Sequence, residues 1–132
     1  MKTKLTLTIL ACIYLLGSAA SFLIALVPHD PEIPIFLSEN ADVLRMGNLM
    51  FYVSGALFLI IGLILLMSRK CSLATAKNIL LACIIGELVH IYVQVGIVHK
   101  EPLFYDDSGV IDSVLAFIPI GLAIFGYFKA KE

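Results

Sequence analysis

Glu87 and His90 stand three residues apart inside an apolar run, and Gln94 follows four residues later. Positions i, i+3 and i+7 share one face of a helix, so this spacing predicts a carboxyl, an imidazole and an amide stacked along one side. A carboxyl beside an imidazole can take a proton from a bound group and return it. Arg45, Asn48 and Tyr52 repeat the spacing in an earlier apolar run, and Asp112 stands near the start of a later one, beside Ser113. Glu87, His90 and Asp112 are therefore the expected acid–base groups. Arg45, Asn48, Tyr52 and Gln94 are the expected holders of a polar part of the ligand.

The elements that position these residues follow from composition. The chain has 132 residues, of which 61% are hydrophobic and 14% charged, with a net charge of −1. Soluble domains are about 45–50% apolar and about 25% charged, so this composition belongs to an all-α polytopic membrane protein with one domain. No basic run suits nucleic acid, and no nucleic-acid partner is expected. A hydrocarbon layer about 30 Å thick takes about 20 apolar residues as helix. Four runs meet that length, at 5–27, 46–67, 76–98 and 110–128, and together predict a four-transmembrane-helix bundle. None has the alternation of a barrel strand. The first run begins like a signal peptide, with small residues near Ala20, but it stays apolar as far as Pro28, and a retained first helix is expected.

Charge sets the orientation. Lys2, Lys4, Arg69, Lys70, Lys77, Lys129 and Lys131 fall on one side of the runs, and only Arg45 and Lys100 near the other. The positive-inside bias then places both termini in the cytoplasm, with the 28–45 and 99–109 connections outside. Pro28, Pro31 and Pro34 predict an extended start to the first outer connection. Ser38 or Asn40 is expected to cap the second helix.

Depth sharpens the reading of Glu87. It lies eleven residues from both ends of its run, about 16 Å at 1.5 Å per residue, which is the bilayer midplane. A charge there costs about 2.5–3.5 kcal/mol on insertion scales. Glu87 is thus expected to face the bundle interior, neutral or sharing a proton with His90. A second role for polar groups in the bilayer is to join helices, at an average near 0.6 kcal/mol per hydrogen bond. Asn48 bonding Glu87, Arg45 bonding Asp112, and Tyr14 in the middle of the first helix belong to that reading. Asn48, Gly55 and Gly62, spaced by seven, form a stripe where a neighbouring helix can come close. Pro119 is expected to bend the last helix.

Some chemistries are set aside. Glu-x-x-His is also the di-iron spacing, but such a site needs a second copy and further carboxylates, so neither a metal nor another cofactor is expected. Cys12, Cys71 and Cys83 include no Cys-x-x-Cys and read as free thiols. Small multidrug transporters carry their essential acid in the first helix, and the first run here has none.

Arg45-Met46-Gly47-Asn48 opening the second run, with Gly86-Glu87-Leu88-Val89-His90-Ile91-Tyr92 in the third, resembles the small DoxX-like four-helix membrane proteins. Members often carry an Arg or Gly-Asn at the second helix and an acidic-x-x-His in the third, more often with Asp at the acidic position. The resemblance covers roughly residues 44–128 and implies the four-helix fold rather than an activity.

The expected function is an integral membrane protein with an outward-opening polar pocket that binds a hydrophobic small molecule or lipid. Acid–base transformation of that molecule, by an isomerase, cyclase or hydrolase, is the enzymatic version of this expectation. A proton-coupled transporter and a partner-binding membrane subunit are the alternatives, and the bundle leaves room for a homo-oligomer.

Overall fold

The computed structural model describes residues 3–26, 41–96 and 108–129, and the side chains of all of these except 94 and 108–116. The described residues form four α-helices and no strand: α1 (Thr3–Leu26), α2 (Ala41–Met67), α3 (Leu73–Gly96) and α4 (Ser108–Lys129). A short 3-10 helix, Ser68–Lys70, links α2 to α3. The chain is an all-α membrane bundle. Three segments, Thr3–Leu26, Ala41–Lys70 and Leu73–Val93, are long and apolar enough to cross a membrane. In α4 the described apolar stretch is Phe117–Lys129, and Pro119 lies inside the helix without ending it.

Helix boundaries follow local chemistry. α2 begins at Ala41, ahead of the apolar run at 46, so Arg45 is already helical. The extended connection around Pro28, Pro31 and Pro34, and the Ser38 or Asn40 cap, lie outside the described residues. The N-terminus of α3 is capped by Ser72, whose hydroxyl accepts the Thr75 N–H at 3.3 Å.

Between lipid-solvated helices there is no hydrophobic drive, so close packing and hydrogen bonds must hold the bundle. The small residues of α2 supply the packing against α1. A Cβ on Gly55 would sit 3.2 Å from Phe22, and one on Gly62 would sit 2.8 Å from Leu15. Ser18 of α1 donates to the Gly55 carbonyl at 2.7 Å, a bond across the same interface. At the other end of α1, Thr6 fills the space over Gly126 of α4, where a Cβ would strike its methyl group. α1 thus packs chiefly on α2, and α3 on α4, with α1 joining the two pairs.

Among the described residues, one buried apolar cluster lies toward the N-terminus of α1. It gathers Leu7 and Leu10 of α1, Leu65 of α2, Leu80 of α3 and Ala123 of α4, all in the half that holds the N-terminus of α1. Tyr14 is its uppermost member on α1. Beyond Glu87, Leu88, Val89, Tyr92, Val93 and Val95 of α3 are exposed.

Candidate functional site

Glu87 is 6% exposed, the one carboxylate among the buried side chains of the described residues. Two groups among the described residues reach it. The Tyr14 hydroxyl of α1 donates to Oε1. His90, one turn along α3, places Nδ1 3.4 Å from Oε2. That separation is longer than the 2.7–3.2 Å of an ordinary N–H···O bond.

Burial divides the pair. The Glu87 side chain is 7% exposed and the His90 side chain 44%, so the carboxyl is sealed and the imidazole open. Phe58 of α2 braces both partners of Glu87. Its ring centroid lies 5.9 Å from that of Tyr14, tilted by 57°, and 6.5 Å from that of His90, edge to face. Phe58 has room for this because it lies over Gly17, where a Cβ would come within 3.3 Å of the ring. Cys83, one turn below Glu87 on α3, packs against the core below. The site thus takes one polar group from α1, two from α3 and a ring from α2.

The remaining sequence-derived residues are placed differently. Asn48 does not bond Glu87; its Oδ1 is buried with no hydrogen-bond partner among the described residues. Tyr52 is exposed and lies 6.2 Å, centroid to centroid, from Phe22 of α1. Arg45 is exposed on the first turns of α2. Gln94 and Asp112 are in α3 and α4, but their side chains lie outside the described residues, as does any Arg45–Asp112 bond. Tyr14, expected to join helices, does so by reaching Glu87 rather than leaving that contact to Asn48.

Tyr14 has one hydroxyl hydrogen and gives it to Oε1, so it orients the carboxyl. The other carboxyl oxygen faces an imidazole whose far edge is open. Groups of three or more His, Cys, Asp or Glu that would hold a metal ion do not occur among the described residues. Compared with protein-family models, curated proteins and solved structures, the chain matches none.

Proposed function

We propose that this protein binds a hydrophobic small molecule or lipid at the Glu87–His90 pair and is equipped to exchange a proton with it. The observation that carries this reading is the contrast between the sealed carboxyl and the open imidazole. A purely helix-joining Glu87 needs no half-exposed histidine on its second oxygen. Ionisable groups inside a membrane are costly and mark binding or proton pathways by default. The buried Asn48 Oδ1 of α2, which has no partner among the described residues, supports a pocket on the outer side of the pair. Gln94 and Asp112 complete its proposed lining.

With Arg69 and Lys70 exposed at the α2–α3 turn, the same reading puts that turn and both termini in the cytoplasm, and the pocket opens outward. Kinship with the DoxX-like proteins is part of this proposal and rests on the Arg45–Asn48 and Gly86–Tyr92 motifs. A proton-coupled transporter is the second reading, favoured by the half-exposed His90 beside the buried carboxyl.

The test is retention. Protein purified in mild detergent is expected to carry a bound lipid or small molecule identifiable by mass spectrometry. Glu87→Gln and His90→Ala are each expected to lose it while remaining folded. Retention unchanged in both variants removes the reading. Turnover of that compound by wild type alone makes the protein an enzyme, and a substrate-driven pH change in sealed vesicles makes it a transporter.

A further inference from the structure

We infer that the ligand enters sideways from the bilayer, through an opening between α2 and α3, and that the opening admits an uncharged lipid with a small hydroxyl or carbonyl head. This rests on the binding site proposed above and names its route and the class of molecule that fits it.

The helices pair as α1 with α2 and α3 with α4, so α2 and α3 are chain neighbours that barely touch among the described residues. Phe58 reaches across to His90, with the ring centroids 6.5 Å apart. Successive residues of a helix turn by about 100°. Glu87 looks toward Tyr14 of α1. His90 then lies about 60° round α3, toward Phe58, and Gly86 about 40° further in the same sense. A Cβ on Gly86 would meet nothing within 4 Å. Ala82, one turn nearer the α2–α3 turn, is exposed as well. Gly55, Gly62 and Gly126 are by contrast each covered closely by a neighbouring helix. The face of α3 beside the Phe58–His90 contact is thus bare.

Ser54 stands on the opposite wall. It lies one turn from Phe58 on the same face of α2 and is half-buried. A serine inside a helix can satisfy its hydroxyl on the carbonyl one turn back, as Ser21 does on Gly17 at 2.9 Å and Ser68 on Ile64 at 2.6 Å. Ser54 makes no hydrogen bond among the described residues. It lies sixteen residues from Lys70, where the second span ends, and His90 lies seventeen from Leu73, where α3 begins. At 1.5 Å per residue these are about 24 and 26 Å, so the hydroxyl and the imidazole are level across the opening. Both side chains can donate and accept.

Charge decides what this pair can hold. Residues 46–68 and 78–99 contain no Lys or Arg, so an anionic head group at this depth has no cation to meet and faces the Glu87 carboxyl. A cationic head group would need that carboxyl, whose side chain is only 7% exposed. Either charge also carries the cost of entering the bilayer core. A hydroxyl or carbonyl avoids that cost and finds a partner in Ser54 or His90, with its chain left among the exposed apolar residues of α2 and α3.

A long-chain alcohol bearing a mid-chain diazirine and a terminal alkyne tests the route. It is photolysed with the full chain in lipid nanodiscs, and labelled peptides are mapped by mass spectrometry. Label is expected on the residues of α2 and α3 that border the opening. Excess plain alcohol is expected to reduce it about tenfold, whereas the sulfonate and trimethylammonium analogues of equal length leave it in place. Gly86→Leu fills open space, so it is expected to fold as wild type and lose the competable label. Gly121→Leu, at an equally open glycine of α4, is expected to keep it. Label spread evenly over α2 and α4, or equal competition by the charged analogues, overturns the inference in wild type alone, as does an undiminished label in folded Gly86→Leu. If the co-purifying compound is lost in Glu87→Gln but retained in Gly86→Leu, the side entrance falls and the broader reading stands. If retention ignores Glu87→Gln and His90→Ala, both fall.

Discussion

The Tyr14 hydroxyl of α1 donates to Glu87 Oε1 of α3, joining two helices that otherwise touch little. α1 belongs to one helix pair and α3 to the other, so this bond crosses the seam between pairs. It also fixes which carboxyl oxygen is left for His90.

That bond predicts measurable coupling. In a double-mutant cycle of Tyr14→Phe and Glu87→Leu, unfolded reversibly in mixed micelles, the interaction energy is expected at about 0.6–1.7 kcal/mol, the range of such bonds in membranes. Each single variant leaves a partner stranded in the core, whereas the double variant does not. Additivity within about 0.3 kcal/mol would show that the two residues do not act together.

The glycines separate into close contacts and open positions. Gly62→Ala brings a Cβ to 2.8 Å from Leu15 and 3.3 Å from the Ala11 carbonyl. Overpacking of this kind costs about 1–3 kcal/mol. A Cβ on Gly121 meets nothing within 4 Å, so Gly121→Ala is expected to be neutral or to gain up to about 1 kcal/mol from helix propensity. Thermal unfolding of the two variants in one detergent checks the pair, and a tolerant Gly62 would contradict the α1–α2 interface.

Much of this arrangement was legible in the chain. The apolar runs gave the helices, because a membrane imposes length and backbone satisfaction on any segment that crosses it. Glu87 facing inward followed from the cost of burying a charge. Its partner did not follow from residue type, since Asn48 and Tyr14 are both polar groups that join helices. Depth held the signal. Tyr14 is nine residues into its run and Glu87 eleven into its own, about 14 and 16 Å along parallel helices. Asn48, near the start of α2, lies toward the opposite end. The boundary of α2 was less legible, because its first turn carries Asp42 and Arg45 and reads as connection by hydropathy.

Asn48 tests whether the open half receives a ligand. Its Oδ1 is buried with no partner among the described residues, and an unpaired buried acceptor costs about 1–3 kcal/mol. Asn48→Leu is therefore expected to leave ligand-free protein equally stable or more so, while weakening retention of the co-purifying compound. A marked loss of stability without ligand would mean that Asn48 serves the fold and not the site.

Phe58 holds Tyr14 and His90 at once, so its removal should register on both. Phe58→Ala leaves a cavity of a kind that costs about 3–5 kcal/mol in soluble cores, whereas Phe58→Leu keeps most of the volume and should cost less than about 1.5 kcal/mol. In the folded leucine variant, His90 loses the ring at its edge and should react faster with diethyl pyrocarbonate than in wild type. An unchanged rate would show that Phe58 does not restrain the imidazole.

The cysteines give the orientation a direct measurement. Cys71 is exposed at the turn between α2 and α3, next to Arg69 and Lys70, whereas Cys12 and Cys83 lie within apolar helices. A charged maleimide needs water and a thiolate, so it should react with Cys71 and spare the other two. In sealed right-side-out vesicles, the proposed orientation, with the basic turn on the cytoplasmic side, predicts labelling of Cys71 only after permeabilisation. Cys71→Ser should remove the signal and identify its source. Labelling of intact vesicles at Cys71 would invert the bundle, turning the open half around Glu87 and His90 toward the cytoplasm and its ligand supply with it.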